Sequence, residues 1–317
     1  MTCCLRPYAL LLFCSAAAAA QPSLGGRAGA AFRMGFSAEP MGMGNARIAV
    51  VGAEIDPYMN PALAPFQRTP VVSAGIGLLS LDRTIQSLSY SAPLPPAAGI
   101  AITLHRVTVD NIDGRDRNGI PTDRLKVSEN VIALSFGLRP SPDLTLGASA
   151  KLFYAQMPED VTSTTVGLDF GATYLVWDEL RLAVAVRDVN SKYRWDTIAL
   201  LGRQGRQTTD VFPTAFVAAI AYSPTFVPAT LSFESESVAG GSLMRIGVET
   251  RVHSMLRIRS GLDAIDPSGT LGSRWSGGIS LDDTGLSWNP TFDYAFVVEP
   301  YAPDGAHVLT IRLHFRE

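Results

Sequence analysis

The sequence predicts an all-β protein, a transmembrane antiparallel β-barrel of about fourteen strands with an N-terminal plug, or hatch, segment. Three observations lead there. Apolar and polar residues alternate with period two over many stretches of roughly ten residues. The connections between these stretches alternate between short and long. A stretch rich in Gly and Met, Gly29–Pro65, precedes the first clean strand and fits neither an amphipathic helix nor an alternating strand.

Residues 1–20 read as a signal peptide. Arg6 supplies a positive start, Ala9–Ala20 is apolar but too short to span a bilayer, and Ala18 and Ala20 fit an A-x-A cleavage site before Gln21. A buried N-terminal helix is the competing reading, but nothing amphipathic follows the run. All three cysteines (Cys3, Cys4 and Cys14) fall in this segment. The mature chain is therefore expected to lack disulfides, thiol nucleophiles and Cys-ligated metals. The expected division is a signal peptide at 1–20, a plug segment at 21–69 and an outer-membrane barrel at 70–317.

Hydrophobic residues make up 47% of the chain and mean hydropathy is +0.17. No later apolar run reaches the roughly 18 residues of a membrane helix. A formal net charge of -3 argues against nucleic acid as a partner. A soluble periplasmic protein and a barrel, whose lipid face hides in alternation, both remain.

The strands decide between them. In order they are expected at 70–81, 83–92, 98–109, 126–138, 144–156, 164–176, 180–190, 213–223, 229–237, 243–253, 255–264, 273–282, 285–297 and 305–315. Val166, Leu168, Phe170 and Ala172 share one face, opposite Gly167, Asp169, Gly171 and Thr173. Leu309, Ile311, Leu313 and Phe315 oppose Thr310, Arg312 and His314. From the second strand on, every other connection is short: Leu94–Ala97, Pro140–Asp143, Asp178–Glu179, Pro224–Pro228, Ser254 and Asp283–Thr284. Most others are long, including Asp110–Leu125 and Asn190–Phe212. Soluble sandwiches and propellers alternate too, but their loops need not alternate in length. Short turns on one rim and long loops on the other are the outer-membrane pattern, and an even strand count puts both termini on the short-turn, periplasmic side. Pro290, inside an expected strand, predicts a kink or bulge.

If the apolar faces meet lipid, the opposite faces line the lumen. In the second half they carry Glu234, Glu236, Arg245, Glu249, Arg251, Arg257, Arg259, Asp263, Arg274, Asp293 and Arg312. Mixed signs predict ion pairs that brace the wall or a plug, with substrate conduction as the alternative.

The residues Phe32-Arg33-Met34-Gly35, Met41-Gly42-Met43-Gly44-Asn45-Ala46, Ala49-Val50-Val51, Asp56 and Asn60-Pro61-Ala62-Leu63-Ala64 carry a resemblance. Together with the barrel they resemble the FadL-like outer-membrane proteins, most closely the PorV/PorQ branch. The chain departs from that pattern at Gly52-Ala53-Glu54, where an acidic pair is common, and at Met59, where an aromatic is. The resemblance implies a fourteen-stranded barrel with a blocked lumen. It also implies one of two jobs, passive transport of hydrophobic small molecules or a partner role in type IX-like protein secretion or surface assembly. Outer-membrane lipid is expected around the barrel, with a hydrophobic ligand or secretion-system proteins as partners. Phe32, Met34, Phe36, Met41, Met43, Asn60, Pro61 and Ala62 are the expected ligand or plug residues. Methionine adapts to irregular apolar ligands, and the competing reading is that these residues simply pack.

Enzyme motifs are missing from the sequence. There is no G-x-S-x-G elbow, no Walker or dinucleotide fingerprint, and no metal spacing among His105, His253, His307 and His314. No cofactor and no catalysis are expected. Asp113, Asp116, Asn118 and Asp123 have calcium-loop chemistry, but Arg115 and Arg117 oppose a cation, and a solvated loop is the favoured reading. Arg194, Trp195, Arg203 and Arg206 mark Asn190–Phe212 as a candidate partner surface.

Overall fold

The structure is a computed structural model that describes residues 26–315 except 53, 239–240, 268–271, 283–284 and 287. The expected signal peptide lies outside the described residues. The strands are β1 (Val71–Leu79), β2 (Arg83–Leu94), β3 (Ala98–Arg115), β4 (Pro121–Leu138), β5 (Leu144–Gln156), β6 (Thr162–Trp177), β7 (Leu180–Val189), β8 (Lys192–Asp196), β9 (Gln207–Val211), β10 (Ala215–Tyr222), β11 (Ala229–Val238), β12 (Gly241–His253), β13 (Leu256–Ile265), β14 (Arg274–Asp282), β15 (Thr291–Val297) and β16 (Ala306–His314). Fourteen of them close into one antiparallel barrel, while β8 and β9 form a separate hairpin. The first and last strands close the wall, with Val71 opposite His314.

Alternation explains why this sheet closes. Leu88, Ile102, Leu134, Val166, Ile220 and Leu309 stand exposed on the outer face. The inner face carries Gly, Ala, Ser, Thr and charged residues, with Ile85, Val107, Val131 and Phe153 buried among them. A closed barrel pairs the backbone groups of both neighbouring strands everywhere and leaves no edge for lipid to strip of water. Among the described residues no helix is long and apolar enough to cross a membrane.

The expected rims are largely present. Strands β1 and β16 begin and end on the rim that carries the short turns. Three expectations need correction. The first concerns Asp110–Leu125, which is not a loop: β3 and β4 continue as a hairpin beyond the barrel, turning only at 116–120. Its charged residues look like loop in sequence, yet Asp113 opposite Arg124 (2.6 Å) and Asp110 with Lys126 (2.7 Å) are ion pairs along that ladder. The second concerns β15, which starts at Thr291, so Pro290 precedes the strand and makes no kink within it. A residue without an N–H is placed where the ladder does not yet need one. The turn expected at Asp283–Thr284 is correspondingly longer. The third concerns Asn190–Phe212, which contains the β8–β9 hairpin and the short helix α2 (Ile198–Leu201).

The described residues of the N-terminal segment from Ala28 to Phe66 run inside the barrel, with Val51 and Gly52 exposed at its short-turn rim. They form two short 3-10 turns, Ala30–Arg33 and Pro61–Phe66, and the helix α1 (Ala38–Gly42). Met43, Ile48, Ala49, Ala62 and Leu63 are at most 1% exposed.

Candidate functional site

Three kinds of contact hold the inner segment to the wall, and each can be built from its residues. The first is a row of glycines. Gly99 pairs with Gly137, Gly137 with Gly147, and Gly147 with Gly171, so four glycines line up across β3, β4, β5 and β6. The Asn60–Pro65 turn lies against this row. A Cβ added at Gly147 would sit 2.2 Å from the Pro61 carbonyl carbon, and one at Gly171 would fall on the Asn60 side chain. Glycine inside a strand here marks close approach of another backbone. Asn60 itself is a cap. Its Oδ1 accepts the Ala62 amide at 3.0 Å, its Nδ2 donates to the Ile48 carbonyl at 2.9 Å, and Pro61 takes the first helical position. The Asn-Pro-Ala phrase is thus a capped turn with a side chain small enough for the glycine row.

A smaller seat lies opposite. Gly247 pairs with Gly261 across β12 and β13; Met43 presses on both and Gly44 on Gly261. Gly44 has φ +62, and a Cβ there would lie 2.7 Å from the Leu262 amide nitrogen. No other residue type fits this position without moving the wall.

The second kind of contact is ionic. Arg245 touches Glu234 (3.0 Å), Glu236 (2.7 Å) and Asp263 (2.8 Å), and Arg187 adds a second contact to Glu236 (2.8 Å). Glu234 also accepts the Ile48 amide (3.3 Å), and Asp263 accepts from the Asn45 side chain (2.9 Å), so this cluster grips the inner segment. Arg259 meets Glu249 (2.6 Å), and Arg312 meets Asp293 (2.8 Å). Glu39, on α1, is fully buried between Arg47 (2.5 Å) and Arg259 (3.7 Å). Arg257 pairs with Asp282 (2.7 Å) toward the short-turn rim. Arg251 is exposed at that rim and takes no part in the buried clusters. On the far wall Lys151 bridges Asp169 (2.5 Å) and Asp188 (3.4 Å), and Arg33 reaches Asp188 (3.2 Å).

The third is an aromatic column. Trp195 and Tyr193, on β8, lie 5.1 Å apart between ring centroids; Tyr193 meets Phe212 at 4.8 Å and Phe212 meets Phe153 at 5.0 Å. Phe153 then meets Phe32 at 5.2 Å, Phe32 meets Phe36 at 6.2 Å, and Phe36 stacks on His105 at 4.0 Å. The column runs from the outer hairpin to the middle of the inner segment. Gly29, at φ +74, passes beside the Phe212 ring where any Cβ would collide.

Of the residues expected at this site, Phe32, Phe36, Met41, Met43, Asn60, Pro61 and Ala62 are buried in the inner segment, and Met34 is half-buried. The sequence reading missed Glu39, Lys151, Arg187 and Asp188, and it missed the glycine row. Polar positions at period two in β5 and β7 are the signal for Lys151 and Arg187. The β3–β4 tip does not gather the four calcium-type oxygens. Asp113 is paired with Arg124, and Asp116 Oδ1 accepts the Asn118 (2.8 Å) and Ile120 (2.9 Å) amides. Among the described residues no group of three or more His, Cys, Asp or Glu could hold a metal ion. The candidate partner loop folds inward in part: Tyr193 is buried and donates to Glu129 (2.7 Å), while Arg194, Arg203 and Arg206 stay exposed.

Asp56 adds a pH dependence. Its carboxylate accepts the Tyr58 (3.1 Å) and Met59 (3.4 Å) amides, yet burial pushes its pKa up from 3.8 to about 6. The docked segment therefore binds a proton that a released segment has already lost. The contribution of Asp56 to docking is strongest below the ordinary carboxylate range, is lost as pH rises through about 6, and is flat above it. Hydrogen exchange corrected for intrinsic rates should show better protection around Asp56 at about pH 5 than at about pH 7.5. Equal protection would contradict this.

No family model matches the chain, and no curated protein matches it. Among solved structures it is similar to the CymD monoaromatic hydrocarbon channel (TM-score 0.65, 14% identity, 90% of this chain and 98% of that one). It is similar to the Pseudomonas putida toluene transporter TodX (0.63, 13%, 88% and 96%). It is also similar to a Pseudomonas aeruginosa FadL homologue (0.60, 11%, 89% and 98%). At these identities the likeness speaks to the fold alone: the chain shares its barrel architecture with these three proteins.

Proposed function

We propose that the segment within 21–69 is a plug and that the protein passes small hydrophobic molecules through the bacterial outer membrane without catalysis. The short-turn rim and both termini lie in the periplasm in this reading, and lipid surrounds the apolar outer face. The aromatic column carries the proposal. It is a continuous line of ring contacts from the outer hairpin to the plug. Two channels of the same fold, described as a monoaromatic hydrocarbon channel and a toluene transporter, add support. Methionines 34, 41, 43 and 59 give the plug side chains that repack around irregular cargo.

Toluene uptake by cells with and without the protein tests this. Uptake should be faster with the protein, and Phe212→Ala should change the rate severalfold while the barrel still shows heat-modifiable migration. Equal uptake in both strains would overturn the reading. The N-terminal phrase resembling the PorV/PorQ branch supports a second reading, a non-enzymatic partner in type IX-like protein secretion. Stable co-purification with a large translocon, and an empty lumen, would favour it.

A further inference from the structure

One cavity is explained neither by the ion pairs nor by the glycine seats. It lies between residues 54–58 of the inner segment and strands β1, β2 and β3, and its volume is about 40 Å³. Its wall side is a patch of hydroxyls from Ser73, Ser87, Ser89, Ser91 and Thr103. Ser91 donates to Gln67 at 3.1 Å. His105 closes one end. It is 6% exposed, lies flat on Phe36 (4.0 Å, 10° between planes) and meets the Tyr58 ring edge-on at 4.4 Å. Its Nδ1 is buried without a hydrogen-bond partner. A buried polar atom in that state is costly unless water or a ligand meets it.

The cavity therefore offers aromatic faces at one end and hydroxyls along one side. A hydrocarbon would leave the hydroxyls and the His105 nitrogen dry. A carboxylate would face Glu54 and Asp56, which also line the space. Glu54 already has Arg312 at 3.6 Å, and Asp56 already holds two amides, so neither calls for a cation. What matches is a small, neutral, planar ring bearing a hydroxyl group.

At its present size the cavity holds water but not a ring. The side chain common to this cavity and a larger one is the half-buried Ile55. It lines this cavity and also a second one of about 570 Å³ at the short-turn rim, which Val51, Phe66, Arg251 and Arg257 help to form. We propose that the cavity under His105 is a binding site for a small neutral phenol, admitted when Ile55 turns toward the larger space. For its cargo role the site rests on the transport reading above, but binding itself does not.

Fluorine NMR of 4-fluorophenol and fluorobenzene against the full chain in nanodiscs tests it. Saturable 4-fluorophenol binding should be at least about tenfold tighter than fluorobenzene binding, because a site built for a hydroxyl rejects the analogue that lacks one. His105→Phe keeps the stacked ring, removes both nitrogens and should erase the preference. Ile55→Trp, at a half-buried position, should block binding with the barrel intact, which covers the case where His105→Phe fails to fold. Equal affinities, a preference that survives His105→Phe, or no saturable binding (a site for water only) would each overturn the proposal. Toluene uptake separates it from the transport reading. Uptake without a phenol preference leaves transport standing and removes the site; phenol binding without uptake does the reverse.

Discussion

Replacing Gly147 by leucine is expected to open the barrel. The new side chain would grow from a Cβ 2.2 Å from the Pro61 carbonyl carbon and 2.3 Å from the Ala62 amide nitrogen. Both are backbone atoms of a capped turn, and a rotamer change cannot clear them. Overpacking a filled interior costs about 1–3 kcal/mol when side chains can adjust. Here the turn must leave its seat, and Gly99, Gly137 and Gly171 on either side leave it no alternative position. The wall loses nothing, because leucine is an ordinary strand residue and β5 keeps its ladder to β4 and β6. The expected result is a folded barrel with raised ion conductance and exchange-labile amides over 60–66. Gly277→Ala is the control: a Cβ there meets nothing closer than 3.6 Å. Closed channels in Gly147→Leu would show that the row does not seat the turn.

Arg245→Met should be the most destabilising single change in the wall. It removes one buried cation from three carboxylates. Breaking a buried pair from one side typically costs about 3–5 kcal/mol, because the remaining charge stays buried. Glu236 keeps Arg187 and Asp263 keeps Arg274, so the burden falls on Glu234, whose ion pair is with Arg245. The unfolding temperature of the barrel, read by heat-modifiable migration, should drop strongly near neutral pH and recover in part under mild acid, where a stranded carboxylate takes up a proton. Adding Glu234→Gln should restore part of the stability, a coupling expected for residues that touch. If Arg245→Met melts like the parent, the cluster does not brace the barrel.

The architecture was legible because lipid imposes it. A strand that faces hydrocarbon on one side and a filled lumen on the other must alternate, and Val166–Ala172 and Leu309–Phe315 do. The hairpin extension of β3 and β4 was hidden because Asp110–Leu125 protrudes beyond the barrel, where neither face needs to be apolar. The second-half charges stand out in the sequence because they occupy the polar phase of their strands, but Arg251 stays exposed at the rim while Arg245 and Arg259 are buried. Their partners were not legible, because Arg245 finds Asp263 and Glu236 only through the register of three strands. The glycine row was invisible for the same reason. Gly99, Gly137, Gly147 and Gly171 are unremarkable singly and become a seat only when four strands align them. Glu39 sits on a five-residue helix with no periodicity to announce its burial.

Planar-bilayer conductance of the chain with residues 29–65 removed tests the central claim most directly. If the inner segment blocks the lumen, the full chain is nearly closed and the deletion conducts as a wide, steady pore. Equal conductance from the two folded barrels would contradict a plug.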